Sequence, residues 1–157
     1  EFVGEDEIKN AFEFEEGFKT SVKEKYSKAL EKPCIAVSIR RGDFVGNKNY
    51  YQLPIRYYIN SLSQLQSEDY NVIFFSDDIQ YCKLHFGFME NAFFADNRRA
   101  PLAKELYFAA DAYAIEQLCL MTLCEHYVIS NSTFSWWGAY LGKSKKKARN
   151  SPFKSLR

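Results

Sequence analysis

The chain has 157 residues, of which 46% are hydrophobic and 26% charged. This composition is typical of a folded globular domain and excludes an intrinsically disordered chain. No apolar stretch approaches the roughly 18 residues that a membrane-spanning helix needs, no signal-peptide pattern opens the chain, and the formal net charge is only +1.

The first predicted elements are helices followed by a buried strand. Residues 5–31 carry apolar side chains at spacings of three and four, which indicates helix, and Gly17 is expected to divide this stretch into two short helices. Pro33 ends the helical pattern. The apolar, β-rich segment at 34–39 then predicts a buried strand, and the polar turn RRGD follows it at 40–43.

The middle of the chain repeats this order of elements. After a loop at 44–50, a helix is predicted at 53–66, because Pro54 suits a first helical turn. A second buried strand at 71–75 runs into the polar segment SDD at 76–78. The pattern then predicts a short helix at 79–86 with Cys82 facing inward, a short strand at Phe93 and Phe94, and a charged loop at 96–105.

The last predicted elements are helix, strand and helix. Residues 107–124 indicate a helix whose inward side chains are Ala110, Ala114, Leu118 and Met121. A third strand at 126–129 ends in SNST at 130–133, and a helix is predicted from 136 to 145. Alternating helices and strands predict an α/β fold in which a parallel sheet is covered by helices on both faces.

Polar side chains follow three successive strands of this predicted sheet. Parallel sheets bind ligands outside the carboxyl ends of their strands, so these groups are expected to meet at one edge. Arg40 and Arg41 suit a phosphate, and the hydroxyls and N–H groups at 130–133 form a second anion-binding element at a helix start. Together they predict a diphosphate site. Asp77 and Asp78 would repel phosphate and should face a hydrogen-bond donor such as a base edge or a ribose.

Each of these elements also has a purely structural interpretation. The arginines could form salt bridges, for example with Asp43, while SNST and SDD could serve only as helix caps. Neither a GxGxxG fingerprint nor a P-loop is present. The two histidines, His85 and His126, lie outside any ligand-like cluster, and although Asp77 and Asp78 could hold Mg²⁺, we expect no metal because the arginines can supply the positive charge.

The chain ends and the cysteines carry separate expectations. Residues 143–157 hold seven bases and no acid, which could bind nucleic acid or anionic lipid. The remainder is mildly acidic, however, which favours a solvated tail and no nucleic-acid partner. The four cysteines have no CxxC spacing and are interpreted as buried thiols of a reducing compartment. Because the chain opens on Glu1, it is interpreted as part of a longer protein.

Four segments of the chain carry a resemblance to a known family. These are SIRRGDF at 38–44, FSDDI at 75–79, LMTLCEH at 120–126 and ISNSTFSWWGAYL at 129–141. In this order they resemble glycosyltransferase family 11, the GDP-fucose-dependent α-1,2-fucosyltransferases. The sequence departs from the family motif at Ser38, where a His is usual, at Gln117, where an acid is expected, and beyond 142, where the family's closing segment is absent.

The resemblance implies the donor-binding half of a GT-B glycosyltransferase, a Rossmann-like domain at 33–142, preceded by a helical lead-in at 1–32 and followed by the basic tail at 143–157. The acceptor-binding half would precede Glu1. The implied reaction is inverting transfer of fucose from GDP-fucose to the 2-hydroxyl of a galactose in a glycan acceptor, without metal or cofactor. Cytoplasmic location is expected, with peripheral membrane association as an alternative.

The resemblance also implies roles for individual residues. Arg40 and Arg41 would hold the diphosphate, and Asp78 or Asp77 would read the guanine edge. Arg40 would act in catalysis, and Asp43 is the candidate general base, its alternative role being to pair with an arginine. Two other outcomes stay open: a fragment that only binds GDP or GDP-fucose, and an anionic-polymer binder acting through the tail. The remaining implied donor contacts are Ser38, Asn131, Ser132, Thr133, Phe134 and Ser135.

Overall fold

The computed structural model describes residues 4–95 and 106–142, which form a single parallel sheet flanked by helices. The strand order is β3-β2-β1-β4, and every pair of neighbours is parallel. The predicted α/β fold is therefore confirmed. The strands are β1 (Cys34–Ile39), β2 (Asn71–Ser76), β3 (Ala92–Phe94) and β4 (His126–Val128). The helices are α1 (Glu5–Ala11), α2 (Glu16–Lys25), α3 (Ile55–Gln64), α4 (Ile79–Phe86), α5 (Leu106–Thr122) and α6 (Thr133–Leu141).

The two central strands form because their residues can be buried on both sides. Every residue of β1 and β2 is buried, and apolar side chains in an unbroken run are typical of strands covered on both faces. Alternate side chains serve opposite faces. Ile35 and Val37 pack towards α3 and α4, whereas Ala36 packs towards α2 and α5.

The helices divide between the two faces of the sheet. On one face, Tyr58 and Leu62 of α3 and Phe86 of α4 join the core. On the other face, Val22 of α2 and the buried residues of α5 form a second cluster, against which α6 packs. Gly138 allows α6 to approach α5 closely, since a Cβ there would lie 2.7 Å from Met121 Sδ.

The topology places a switch point between β1 and β4. After β1 the chain turns to α3 on one face, whereas after β4 it turns to α6 on the other. These two strands are neighbours, with Val37 paired to Val128. In open α/β sheets, ligands bind in the crevice outside the carboxyl ends of the strands at such a point. The fold therefore predicts a ligand site at the residues just after Ile39 and just after Val128.

Three sequence predictions about helices are wrong in detail. Gly17 lies in the first turn of α2, and the break between helices falls at 12–15, where the side chain of Phe14 packs on the core. Helix α6 begins three residues before the predicted start, because extended Ser132 (φ −122°, ψ 136°) caps it. Ala114 of α5 is exposed instead of inward.

The structure tests the prediction for the cysteines but not the predictions for several other segments. All four cysteines are buried free thiols, as predicted, and burial raises the pKa of Cys82 to about 11. The predicted loop at 96–105, the side chain of Ala110, the predicted continuation of the last helix to 145 and the basic tail at 143–157 lie outside the described residues. None of the helices in 4–95 and 106–142 has the length and hydropathy of a membrane-spanning segment.

Candidate functional site

A pocket of about 200 Å³ opens beside the switch point, between the ends of β1 and β2, α5 and the start of α6. Arg40, which follows β1, and Ser132, which begins α6, both line it. The two anion-binding elements that the sequence predicts at one sheet edge therefore lie on the same cavity. The other lining residues are Ser38, Ile39, Phe75, Ser76, Asp77, Tyr113, Ala114, Gln117 and Phe134.

Two carboxylates and an aromatic ring hold the Arg40 guanidinium in place. Its Nε and Nη2 donate hydrogen bonds to Asp43 Oδ1, at 3.1 and 2.6 Å. Nη1 lies 3.0 Å from Asp77 Oδ2, and the guanidinium carbon lies 5.7 Å from the centre of the Phe44 ring. The Arg40 side chain is still 38% exposed. The guanidinium is therefore oriented by two carboxylates, and part of its fork stays open to solvent.

Asp77 joins the arginine turn to the end of β2. Its Oδ1 accepts the backbone N–H of Arg41 at 2.9 Å. Its Oδ2 is buried and accepts no hydrogen bond within the described ranges, so the ion pair with Arg40 is its one described polar contact. Gly42 is required beside it, because a Cβ on Gly42 would collide with Asp77 Oδ2. Asp77 is therefore a structural counter-ion for the RRGD turn.

Arg41 points away from Arg40 and is held by α4. Its Nε donates to Asp78 Oδ2 at 3.0 Å, and its guanidinium carbon lies 3.6 Å from the centre of the Tyr81 ring, a cation–π contact. Asp78 also caps α4, since its Oδ1 accepts the N–H of Tyr81 at 3.1 Å. The capping and salt-bridge interpretations of SDD and of the second arginine are thus both found in the structure.

The first turn of α6 offers backbone donors to the pocket. Ser132 caps the helix without a side-chain hydrogen bond to it. Among the described residues, the N–H groups of Thr133, Phe134 and Ser135 have no acceptor. Free N–H groups at a helix start, together with the helix dipole, favour an anion. Because Ser132 and Phe134 line the pocket, this end of α6 faces the same space as Arg40.

Three buried serines connect β1, β4 and α6. Ser38 Oγ donates to Ser135 Oγ at 2.9 Å, and Ser130 Oγ lies 3.2 Å from the same atom. Ser135 is fully buried and Ser38 nearly so. The hydroxyl of Ser135 is therefore used to hold α6 on the sheet, and Ser135 is not among the residues that line the pocket.

Asn131 does not line the pocket and instead ties the loop after the arginine turn to the residues before α6. The Asn131 side chain donates to the backbone oxygen of Tyr51 at 3.0 Å, and Tyr57 Oη donates to the backbone oxygen of Ile129 at 3.1 Å. Burial raises the pKa of Tyr57 to about 12. The first bond fastens the loop at 45–53 beside the start of α6, and the second ties α3 to the residue after β4.

The sequence analysis did not predict Tyr113 as a site residue, and it named Gln117 only as a departure from the family motif. Tyr113 and Gln117 of α5 line the cavity with the exposed Ala114 between them. Their spacing of four places both polar-tipped side chains on one helix face, which is the signal that could have identified them. Tyr81, the aromatic partner of Arg41, was also missed. Nothing local in the sequence indicates that contact.

A larger cavity of about 670 Å³ lies near the starts of β2 and β3. It contains Lys32 with Glu68 and Glu90, so no group of cations converges there, and it is at the edge opposite to the carboxyl ends of the strands. We therefore assign the ligand to the smaller pocket. Within residues 4–95 and 106–142, no three His, Cys, Asp or Glu side chains group together as metal ligands. That the site needs no metal stays a prediction.

Comparison with known protein sequences identifies one family and two relatives. Residues 7–148 match the model of the family described as Glycosyl transferase family 11. The chain is 34% identical over 113 residues to an α-1,2-colitosyltransferase of Escherichia coli, which covers 68% of this chain and 36% of that protein. It is 33% identical over 126 residues to the O-antigen biosynthesis glycosyltransferase WbnK of Escherichia coli, covering 76% and 38%.

The fold is similar to that of the NodZ α-1,6-fucosyltransferase of Bradyrhizobium, whose crystals were soaked with GDP-fucose. The TM-score is 0.63 at 15% identity, and the match covers 89% of this chain and 48% of that one. The chain spans little more than a third of the length of the two curated relatives above. The parallel α/β architecture is thus shared with a known fucosyltransferase.

Proposed function

The chain belongs to glycosyl transferase family 11, and from that premise we propose that it is the donor-binding half of a galactoside α-1,2-fucosyltransferase. The donor is GDP-fucose, the acceptor is the 2-hydroxyl of a galactose in a glycan, and the transfer inverts the anomeric centre. Neither a metal nor a cofactor takes part in this proposal. The acceptor-binding domain belongs to another part of the protein, and the donor domain is the region at 33–142.

One observation carries the proposal: Arg40 and the start of α6 line the same pocket beside the topological switch point. A guanidinium and a helix N-terminus are two independent anion-binding elements. They come from β1 and from the residues after β4, which are more than 90 positions apart in the chain. A single ligand with adjacent phosphates satisfies both, and the diphosphate of a nucleotide sugar has that form.

We propose the following donor contacts at this edge of the sheet. Arg40 and the N–H groups of Thr133 and Phe134 bind the diphosphate. Arg41 contributes positive charge from its position on Tyr81. Asp78, whose side chain is 40% exposed against 24% for Asp77, reads the guanine edge or the ribose. The remaining members of the proposed donor site are Ser38, Asp77, Asn131, Ser132 and Ser135, of which Ser38 and Ser135 act mainly by positioning α6.

The reaction places its developing charge in this pocket. The acceptor oxygen attacks the anomeric carbon of fucose, the bond from that carbon to the diphosphate oxygen breaks, and GDP leaves with its electron pair. Negative charge grows on the diphosphate while the sugar becomes oxocarbenium-like. Fixed donors aimed at such charge bind the transition state more strongly than the ground state. Arg40 is already oriented by Asp43 and Asp77, so little reorganisation is needed.

Asp43 is the candidate general base within this chain. It is 56% exposed and its Oδ1 accepts both hydrogen bonds from Arg40. This pairing supports its alternative role as the residue that orients the guanidinium. If Asp43 only orients Arg40, there are two alternatives: a base in the acceptor domain removes the acceptor proton, or the proton is lost late and needs little help.

The proposal also covers a second donor and the location of the protein, and two alternatives to it stay open. The colitosyltransferase relative favours a second candidate donor, a colitosyl nucleotide, whose sugar has one hydroxyl fewer than fucose.

The cytoplasmic location that we propose rests on the four unpaired thiols. The simplest alternative is a chain that binds GDP or GDP-fucose without turnover. Binding of an anionic polymer through 143–157 is a weaker one.

Calorimetry with GDP, GMP and guanosine tests the proposed donor site. Charge-assisted hydrogen bonds contribute about 1.5–3 kcal/mol each, so GDP is expected to bind about 100-fold or more tightly than guanosine, with GMP between them. Equal affinity for GDP and guanosine would contradict a diphosphate site. DNA binding without GDP binding, lost when 143–157 are deleted, would select the polymer-binding alternative.

A further inference from the structure

The loop after the arginine turn exposes aromatic rings close to two elements of the proposed donor site, Arg40 through Phe44 and the residues before α6 through Asn131. Tyr51 is 70% exposed and Tyr50 48% exposed. The Tyr50 ring stacks on Phe44, with centroids 4.5 Å apart and planes at 5°. Phe44 itself lies beneath the Arg40 guanidinium. One continuous stack therefore leads from the guanidinium that faces the diphosphate to an open tyrosine face.

This loop is held in place at both ends. At its start, the N–H groups of Phe44 and Val45 donate to the backbone oxygen of Arg41, at 2.7 and 3.0 Å. At its far end, Asn131 binds the backbone oxygen of Tyr51. The intervening turn is closed by the bonds from Asn47 N–H to Phe44 and from Tyr50 N–H to Asn47. The rings are therefore presented on an ordered turn, which lowers the entropic cost of binding.

Polar groups surround the exposed rings. Within the described ranges, the hydroxyls of Tyr50 and Tyr51 and the ammonium of Lys48 form no hydrogen bond or ion pair. Tyrosine offers an apolar face and a polar tip, and the neighbouring Lys48 and the amide of Asn49 are hydrogen-bond donors. A ligand matched to this surface has a flat patch of C–H groups and hydroxyls along its edge. A pyranose ring has that form.

We infer that Tyr50 and Tyr51 form a subsite for the sugar acceptor, so that part of the acceptor recognition lies on this half of the protein. The inference rests on the proposed function, because an acceptor must meet the donor at the pocket that Arg40 lines. The subsite takes a galactoside, with one face of the sugar on the tyrosine rings and its hydroxyls towards Lys48 and Asn49. Because the transfer inverts the anomeric centre, the attacking hydroxyl of this sugar approaches the anomeric carbon from the face opposite to the departing diphosphate.

The test uses the chain saturated with GDP and titrated with methyl β-D-galactopyranoside, followed by amide NMR signals. Wild type is expected to show saturable shifts at 48–51. Aromatic contacts of this kind predict a Kd about 3- to 10-fold higher in Tyr51→Ala and in Tyr50→Ala. Tyr51→Phe retains the ring and should bind nearly as wild type does. GDP affinity should stay within about twofold in all of these variants.

The matched control is Phe88→Ala, because Phe88 is 81% exposed and lies beside the large cavity at the opposite edge of the sheet. It should leave galactoside binding unchanged. If GDP binds but the sugar moves no signal at 48–51, or if Tyr50→Ala and Tyr51→Ala bind it as wild type does, the subsite is overturned and the donor site stands. If the sugar shifts 48–51 while GDP does not bind, the proposed function fails and the sugar subsite remains.

Discussion

Replacement of Arg40 by alanine is expected to have the largest effect on function of any single substitution at the pocket. Loss of one fixed donor at a developing oxyanion typically lowers kcat by about 10²–10³, and that is the expected fall in transfer rate for the full-length enzyme. In this chain alone, GDP affinity should fall about 10- to 100-fold, since a charge-assisted hydrogen bond is lost.

Two variants separate this role from general charge effects. Arg40→Lys keeps the charge but loses the planar fork, so it should recover only part of the GDP affinity. Arg56→Ala removes an exposed arginine of α3 that lies outside the pocket, and it should bind GDP as wild type does. Equal GDP affinity in wild type and Arg40→Ala, measured by calorimetry, would remove Arg40 from the donor site.

Phe74→Ala is expected to have the largest effect on stability. Phe74 lies in β2, is fully buried, and packs against Phe86 and Phe94 with ring centroids 4.6 and 5.4 Å away. Truncating a buried phenylalanine costs about 3–5 kcal/mol, because apolar contact is lost and a cavity remains. The free energy of unfolding, measured by urea denaturation, should fall by that amount.

The exposed Phe88 provides the matched control for this substitution. Phe88→Ala is expected to change the free energy of unfolding by no more than about 0.5 kcal/mol. A loss below about 1 kcal/mol for Phe74→Ala would contradict a doubly covered central strand. It would also weaken the placement of Asp77 and Asp78, which follow that strand directly.

The core of the fold could be predicted from the sequence because its strands are continuous apolar runs. Segments 34–39 and 71–75 have no polar side chain before their ends except Ser38 and Asn71, so burial on both faces is the one arrangement that satisfies them. The start of α6 could not be located in the same way. The apolar pattern of α6 does not distinguish Trp136 from Thr133 as a first residue, and the boundary depends on the extended conformation of Ser132.

The sequence could predict that Arg40 and Ser132 lie at one edge of the sheet, but it could not predict most of the contacts around them. Parallel strands bring their carboxyl ends together, so Arg40 and Ser132 could be placed on one edge without coordinates. The bond between Ser38 and Ser135 joins residues 97 positions apart, and the stacking of Arg41 on Tyr81 depends on the direction of α4. Such contacts depend on tertiary packing and leave no local pattern in the sequence.

The measurement that tests the central claim most directly is an NMR titration of the ¹⁵N-labelled chain with GDP. It follows the Arg40 Nε–H and the amides of Thr133 and Phe134 in the same experiment. A diphosphate held by both elements should shift all three signals with a single common Kd. Saturable GDP shifts confined to the large cavity near Asn71 and Asn91, with these three signals unmoved, would contradict it.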